Sequence, residues 1–324
     1  MEGCLTITAI IPNYNHASYL QARLDSVLNQ TRKPDEIILL DDCSTDASRR
    51  FIDTYVAQYP EIQFIPNQTN SGSTFVQWNK GVQLAKGDWI WIAESDDIAN
   101  PHLLANLEKA IVQHQAVVLA YCQSTLIDAQ GSVMGNGQAF TDTMEGGELF
   151  HRDFVCDGAS FIQQFLIHKN TIPNASAVLF NKEAFLQIGG ANPTLKSNGD
   201  WLVWLQLAAL GNIVFVATAY NFFRRHNQSV IGKIYANQQT ATYREQYDFT
   251  MRTLYRNYLG KKAITKQVKQ IRLLNEKYRS YDLGNKGLFL LHQKRHVEAW
   301  YDIIKASLFP VFQSGFIKKA VRKQ

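Results

Sequence analysis

The sequence predicts an α/β fold in which a mostly parallel sheet is flanked by helices. Short apolar runs alternate with amphipathic segments through the first half of the 324-residue chain. Runs such as 37–40 are apolar at every position, which is typical of strands covered on both faces. Segments such as 17–29 carry Leu and Val at the spacing of one helix face. Strands and helices that alternate in this way form βαβ units with parallel strands.

The predicted elements follow in chain order. The patterns predict strands at 5–11, 36–40, 62–65, 88–93 and 117–122, and helices between them at 17–29, 47–58, 72–85 and 102–115. Glycines and polar residues without a clear period predict a long loop over 123–161. Further elements are predicted at 161–168 (helix), 176–180 (strand), 200–210 (helix) and 213–216 (strand). Helices are predicted for the rest of the chain, at 238–259, 265–279, 283–293 and 297–307.

Charge is distributed unevenly along this chain. Its composition, 46% hydrophobic and 19% charged, is that of a globular protein. Residues 261–324 hold 15 Lys and Arg against 4 Asp and Glu, whereas residues 1–260 are net negative. The basic end predicts contact with an anionic membrane surface, with a partner protein or a solvated helix face as alternatives. We predict a body at 1–230, with halves at 1–122 and 123–230, a basic helical extension at 231–324, and no binding of nucleic acid.

The sequence predicts a cytoplasmic location, with the inner face of a membrane as an option for the basic end. No run approaches the roughly 20 apolar residues of a spanning helix, and the first residues lack a basic segment followed by an apolar one. The four cysteines are widely spaced without a C-x-x-C pair, so neither a disulfide framework nor a zinc knuckle is predicted.

Polar and acidic residues follow three of the predicted strands, at 12–16, 41–46 and 94–97. Ligands of open parallel sheets bind at the carboxyl ends of the strands. Two pairs of adjacent carboxylates are costly there unless they meet a cation or hydrogen-bond donors. Glycine-rich phosphate loops are missing from the sequence, so a bound Mn²⁺ or Mg²⁺ is the predicted means of holding a diphosphate. Neighbouring side chains point in opposite directions, so we expect one of Asp96 and Asp97 to bind the metal directly.

These motifs, in this order, resemble those of family 2 glycosyltransferases. The residues that carry the resemblance are IIPNYN at 10–15, DDCSTD at 41–46, NKG at 79–81, AKGD at 85–88 and SDD at 95–97. The resemblance covers roughly residues 5–230 and implies the GT-A fold. It also implies metal-dependent, inverting transfer of a sugar from a nucleoside diphosphate, most often UDP, to a glycan or lipid-linked glycan in bacterial surface-polysaccharide synthesis.

The resemblance also implies roles for individual residues. It assigns the donor nucleotide to Pro12, Tyr14, Asn15, Asp42, Asn79 and Asp96. Within this set, Tyr14 borders the uracil, Asp42 accepts a hydrogen bond from the base, and Asp96 lies near the ribose. It assigns the metal to Asp97, with His226 as a further ligand. It makes Asp200 the catalytic base and assigns the diphosphate or acceptor to Arg224, Arg225 and Trp201.

Other interpretations of the same residues remain open. Asp42 could cap the helix predicted at 47–58, and Asp200 could cap the helix that it begins, since Asp is a favoured N-cap. His226 could be an ordinary hydrogen-bonded histidine. Two other classes of protein share parts of the pattern, namely sugar nucleotidyltransferases and non-catalytic nucleotide-sugar-binding modules. The former normally carry a glycine-rich basic loop after the first strand, where this chain has PNYN.

Overall fold

A computed structural model describes residues 5–195, 197–227, 229, 240–292 and 295–307. Ten strands of these residues form one sheet. The strands are β1 (Ile7–Asn13), β2 (Glu36–Asp41), β3 (Ile62–Pro66), β4 (Trp89–Ile92), β5 (Ile98–Ala99), β6 (Val117–Ile127), β7 (Val133–Asn136), β8 (Phe154–Cys156), β9 (Val178–Asn181) and β10 (Asn212–Arg224).

Ten α-helices of the described residues accompany the sheet. They are α1 (Ala17–Leu28), α2 (Ser48–Gln58), α3 (Thr74–Leu84), α4 (Leu103–Val112), α5 (Gly158–Phe161), α6 (Lys182–Gln187), α7 (Gly199–Ala208), α8 (Thr240–Gly260), α9 (Lys266–His292) and α10 (His296–Ser307). A π-helical turn, Ile162–Leu166, continues α5.

The strand order is β3-β2-β1-β4-β9-β6-β10-β5, with β7 beside β6 and β8 beside β10. The pairs among β3, β2, β1 and β4 are parallel, and so is the pair β6–β10. Strand β9 is antiparallel to both of its neighbours, β4 and β6. Six strands therefore run in the direction of β1, and the predicted α/β fold with a mostly parallel sheet is confirmed. Because β2, β1 and β4 are adjacent, the motifs that follow them meet at one edge.

Both faces of the central strands are buried, as their continuous apolar sequence predicts. Ile10 and Ile38 belong to the core on one face, whereas Ile11 and Leu39 belong to the core on the other. Helix α3 approaches β1 closely, since a Cβ atom on Gly81 would lie 2.5 Å from Cγ2 of Ile10. The absence of a side chain at this position lets the helix pack directly on the sheet.

The predicted loop over 123–161 contains more structure than its sequence indicates. Strand β6 continues to Ile127 and forms a hairpin with β7, two 3₁₀ turns follow, and β8 pairs with β10. These elements are short, and every residue of β7 is exposed, so they lack an apolar period. The chain also forms one continuous helix, α9, where separate helices at 265–279 and 283–293 were predicted.

The helices after residue 240 share a core with the body. Met251, Tyr255 and Leu259 of α8 are buried in the same cluster as the apolar residues of α7. Arg252 is also buried, donates to the Ile167 carbonyl at 2.9 Å and forms an ion pair with Asp282 of α9 at 2.9 Å. Of the predicted extension at 231–324, residues 240–292 are thus integral to the fold. Of the basic end at 261–324 for which membrane contact is predicted, residues 308–324 lie outside the described residues, and the contact stays a prediction.

No helix among the described residues has both the length and the apolar character needed to cross a membrane.

The close approach of α3 to β1 gives a stability prediction. Gly81→Ala should lower the free energy of unfolding by about 1 to 3 kcal/mol, because the new methyl group overlaps Ile10 in a filled core. Gly260→Ala, at the exposed end of α8 with open space around its Cα, is the matched control and should change it by less than about 1 kcal/mol. Chemical denaturation of both variants checks this, and equal effects would contradict the packing argument.

Candidate active site

Asp97 is buried and accepts three hydrogen bonds from protein donors. Its Oδ2 accepts hydrogen bonds from Asn174 Nδ2 at 2.9 Å and Ser176 Oγ at 2.7 Å, and its Oδ1 accepts one from the Arg224 backbone N–H at 2.8 Å. Burial raises the pKa of Asp97 to about 6, and the neighbouring charge of Asp96 adds to the rise. These donors take three of the roughly four hydrogen bonds that a carboxylate can accept, so the role of metal ligand, which stays a prediction for Asp97, would leave it one free lone-pair position or require a donor to be displaced.

The adjacent carboxylate, Asp96, lies in a cluster with two histidines. Asp96 Oδ2 is 3.0 Å from His226 Nε2, and one ligand atom from each of Asp96, His226 and His16 lies within 4.8 Å of the other two. Burial opposes ionisation of Asp96, but the hydrogen bond from His226 and the charges of His16 and His226 outweigh it, so its pKa lies below the usual value. The predicted residues Asp96 and His226 are thus brought together, and His16 joins them.

Tyr19 and Arg224 fix this cluster from behind. The centroid of the Tyr19 ring is 5.0 Å from the His226 ring centroid and 5.9 Å from the His16 ring centroid. The Arg224 guanidinium lies 4.7 Å from the centroid of the Tyr19 ring. Arg224 Nε donates to the Asp96 carbonyl at 2.7 Å, and its Nη1 to the Asp128 carbonyl at 2.9 Å. Arg224 is buried and holds the backbone of the site together through these bonds, and its contact with the diphosphate or acceptor stays a prediction.

Arg225 differs from its neighbour in exposure. It is half-buried, and its guanidinium lies 4.2 Å from the centroid of the Phe223 ring. Its backbone N–H donates to the Ile127 carbonyl at 2.8 Å, which anchors the residue at the end of β10. Contact of Arg225 with the diphosphate or acceptor stays a prediction.

The segment after β1 combines one exposed ring with a rigid turn. Pro12 is buried at the end of the strand, whereas the Tyr14 side chain is 45% exposed. Asn15 has a φ of 56°, and its Oδ1 accepts hydrogen bonds from the backbone N–H groups of Thr45 and Asp46 at 2.7 and 3.2 Å. Asn15 therefore shapes the turn after β2, and Tyr14 is the side chain available to a planar ligand.

Asp42 and Asn79 use their polar atoms within the protein. The Asp42 carboxylate accepts four hydrogen bonds between 2.7 and 2.9 Å, which come from Asn67 Nδ2, Ser71 N, Ser71 Oγ and Gln77 Nε2. Four bonds fill the usual capacity of a carboxylate, so the predicted bond to a nucleobase would have to replace one of them. The Asn79 amide exchanges two 2.8 Å bonds with the backbone of Ala191.

Buried charge lies beneath the cluster. Arg23 of α1 is fully buried, and its Nε donates to the Glu94 carbonyl at 2.8 Å. Burial lowers the pKa of Arg23 to about 10, against the charges of Asp97, Asp96 and Glu94. Burial, followed by the charge of Asp96, raises the pKa of Glu94 to about 8, and Trp78 Nε1 donates to its Oε1 at 2.8 Å. The Arg23 guanidinium and the Trp78 N–H therefore offset the negative charge of the acidic turn at 94–97 from inside the core.

Asp200 lies in the first turn of α7 and is half-buried. Asn170 Nδ2 donates to its Oδ2 at 3.2 Å. Burial raises the pKa of Asp200 to about 6, although hydrogen bonds from the Trp201 backbone and Asn170 oppose the rise. A Cβ atom on the preceding Gly199 would lie 2.4 Å from the Phe75 ring, so a glycine is needed for this approach. Asp200 combines partial exposure with a pKa near neutrality, two properties of a general base.

Trp201 is a core residue. Its side chain is buried, its Nε1 donates to the Leu166 carbonyl at 2.7 Å, and the Arg252 guanidinium lies 4.9 Å from its ring. The prediction that Trp201 packs against a sugar is therefore corrected, since neighbouring residues already cover both the ring and its polar atom.

One short segment, residues 170–176, links the two carboxylate sites. Its first residue, Asn170, contacts Asp200, and Asn174 and Ser176 contact Asp97. Sequence reasoning missed these partners, as it missed His16 and Tyr19. The position of His16 directly after the PNYN motif was a usable signal, whereas only the folded chain relates 170–176 to both sites.

The family model described as Glycosyl transferase family 2 matches residues 8–163. These residues are a family 2 glycosyltransferase domain. The matched range contains His16, Asp96 and Asp97, whereas Asp200 and His226 lie beyond it. The resemblance predicted from the motifs is confirmed over these residues.

Several known proteins are similar to this chain in sequence or in fold. The curated glycosyltransferase GlyG of Streptococcus pneumoniae is 34% identical over 113 residues, which cover 35% of this chain and 37% of GlyG. Four curated relatives are matched over between 37% and 65% of their own lengths.

Two solved structures have a similar fold. Staphylococcus aureus TarS in complex with UDP-GlcNAc has a TM-score of 0.66 at 16% identity, over 93% of this chain and 79% of the TarS chain. The mannosyltransferase PcManGT of Pyrobaculum calidifontis, in complex with GDP-Man and Mn²⁺, has a TM-score of 0.58 at 12% identity, over 98% and 84%.

The two adjacent carboxylates of the glycosyltransferase domain should respond differently to substitution. Asp97→Asn should lower the free energy of unfolding by about 2 to 4 kcal/mol, because the amide keeps one acceptor oxygen and its NH2 group must face either the Arg224 N–H or the donors of Asn174 and Ser176. Asp96→Asn, whose site is more open, should cost less than about 1 kcal/mol. Denaturant unfolding of both variants measures the difference, and a larger loss for Asp96→Asn would contradict this assignment.

Proposed function

We propose that this chain is a metal-dependent, inverting glycosyltransferase. It moves a sugar from a nucleoside-diphosphate donor, with UDP favoured, to a hydroxyl of a glycan or lipid-linked glycan. The observation that carries the proposal is the link through 170–176 between the half-buried Asp200 and the turn that contains Asp96. A base and a cation site joined through one short segment suit the transfer of a sugar from a diphosphate to a hydroxyl.

The donor nucleotide binds beside the carboxyl ends of β1 and β2. The exposed Tyr14 ring supports this, since a planar base stacks on an aromatic face. Arg225, at the end of β10, contacts the diphosphate and offsets its negative charge. The UDP-sugar bound by the structural neighbour TarS favours UDP, and the GDP-Man bound by PcManGT shows that a similar fold accepts another nucleoside.

Asp96 and His226 hold Mn²⁺ or Mg²⁺. The donor set fits a divalent ion, because a carboxylate oxygen and an imidazole nitrogen lie 3.0 Å apart in a half-buried cleft. A divalent ion held there would supply positive charge next to the diphosphate leaving group. Asp97 and Arg224 keep Asp96 in place but do not touch the substrate, and the Mn²⁺ bound to PcManGT supports the choice of metal.

Asp200 acts as the general base. The acceptor oxygen forms a bond to the anomeric carbon while the bond from that carbon to the diphosphate oxygen breaks. The nucleoside diphosphate leaves with the electron pair, and the carboxylate of Asp200 takes the proton of the attacking hydroxyl. A single displacement of this kind inverts the anomeric centre. Asn170 donates to the ionised carboxylate and so keeps it ready to accept the proton.

The acceptor belongs to a growing surface glycan, and the basic residues after 260 contact an anionic membrane surface. Residues 261–324 contain 15 basic and 4 acidic residues, which supports this contact. Each Lys or Arg near such a surface contributes about 1 kcal/mol to the free energy of membrane binding.

Asp200→Asn should lower the rate of sugar transfer by about 100- to 10,000-fold, because the amide cannot take the proton of the acceptor. Calorimetric binding of UDP with Mn²⁺ should be unchanged, and NMR of the wild-type product should show the inverted anomer. Asp53→Asn, at an exposed site on α2, is the matched control and should transfer at the wild-type rate. Near wild-type transfer by Asp200→Asn would remove Asp200 from the reaction, and a retained anomer would exclude the single displacement.

The pH dependence of transfer should report the Asp200 carboxylate. Its pKa of about 6 predicts that kcat/KM rises with pH through about 6 and then levels, since only the ionised form accepts a proton. Asn170→Ala removes a donor to that form, so the pKa rises and the limb should move about one unit towards higher pH. Asn257→Ala, on the exposed face of α8, should leave the limb in place. If the rise of kcat/KM stays at the same pH in Asn170→Ala, the titrating group is not Asp200.

A further inference from the structure

We infer that His16 is a third protein ligand of the metal, so that the chain binds a divalent ion before any nucleotide arrives. This inference rests on the proposed function, which assigns the metal to Asp96 and His226. The observation behind it is that one ligand atom from each of these three residues lies within 4.8 Å of the other two. Metal bonds of about 2.1 Å hold ligand atoms about 3 to 4 Å apart, so small side-chain movements complete the site.

The His16 ring is fixed towards the acidic turn. Its Nδ1 is 2.8 Å from the hydroxyl of Ser95, which is buried between Glu94 and Asp96. When Nδ1 donates to this hydroxyl, Nε2 carries the lone pair that a metal requires, and a partner on the other nitrogen is typical of metal-bound histidines. Packing of Tyr19 against both His16 and His226 restricts the two imidazoles together.

A purely structural role explains the His16 side chain less well. His16 is the N-cap residue of α1, yet its side chain forms no capping hydrogen bond; its backbone carbonyl accepts from Tyr19 and Leu20 instead. A residue that serves only the helix start does not need an imidazole directed at a carboxylate. The preceding Asn15, with its φ of 56°, turns the chain so that His16 reaches the end of the neighbouring β4.

The number and type of ligands have two consequences. A site of two protein ligands depends on the diphosphate to complete it, whereas three ligands bind an ion in its absence. Two imidazoles with one carboxylate also favour transition metals over Mg²⁺, which prefers oxygen ligands. We therefore expect the nucleotide-free chain to bind one Mn²⁺ and to bind Co²⁺ more tightly than Mg²⁺.

Pulsed electron paramagnetic resonance of Mn²⁺ bound to the nucleotide-free full chain tests the inference. The wild type should show couplings to two histidine nitrogens, identified by ¹⁵N-histidine labelling, and His16→Gln should show one. Calorimetry should find Mn²⁺ binding weakened by about 10- to 100-fold or more in His16→Gln. His114→Gln, at an exposed site after α4, is the matched control and should match the wild type in both measurements.

A single nitrogen coupling in the wild type overturns the third ligand, whether or not His16→Gln folds. Unchanged Mn²⁺ affinity in a folded His16→Gln overturns it as well. If Asp96→Asn still abolishes Mn²⁺ binding in either case, the proposed function stands with Asp96 and His226 alone. If the wild type binds no Mn²⁺ with or without UDP, both the third ligand and the metal in the proposed function are overturned.

Discussion

The buried carboxylate of Asp97 joins three segments of the chain that are far apart in sequence. An ionised group in the interior is costly unless donors surround it, and here they come from Asn174, Ser176 and the backbone N–H of Arg224. Satisfying this one group fixes the end of β10, and His226 follows two residues later. It also fixes residues 170–176, which reach Asp200 at their other end. The positions of His226, the proposed metal ligand, and Asp200, the proposed base, therefore both depend on a side chain that is hydrogen-bonded to neither.

Two adjacent carboxylates acquire opposite properties from this arrangement. Asp97 faces the interior, where burial raises its pKa, whereas Asp96 faces the cleft, where His226 and His16 hold its pKa below the usual value. The inward group maintains the structure, and the outward group stays ionised and open to a cation. Arg23 supplies a fixed positive charge beneath both, so the turn can fold with its acidic residues close together.

The sequence predicted the sheet and its helices better than the roles of individual residues. Apolar runs such as β2 are fixed by burial on both faces, a property that local periodicity records. The continuous α9 was predicted as two helices, 265–279 and 283–293, whereas the second half of this helix packs on α10, where a Cβ on Gly287 would lie 2.9 Å from the Ala299 carbonyl. The hydrogen-bond partners of Asp97 lie 77 to 127 residues away in the sequence, and the carbonyl that accepts from Trp201 lies 35 residues away, so no local pattern reveals them.

The segment that carries Asp200, the proposed base, has further contacts from a part of the chain that the proposed donor site does not use. His16 and Asp96 lie within residues 8–163, the range of the family match, whereas Asp200 and its supports lie outside it. Asn198, just before α7, contacts Asp248 of α8, and Arg252 of the same helix holds the Ile167 carbonyl. The residues that position the base are thus drawn from helices that the family match does not include. A shared donor half combined with a separately supported base half allows one nucleotide-binding arrangement to serve different acceptors.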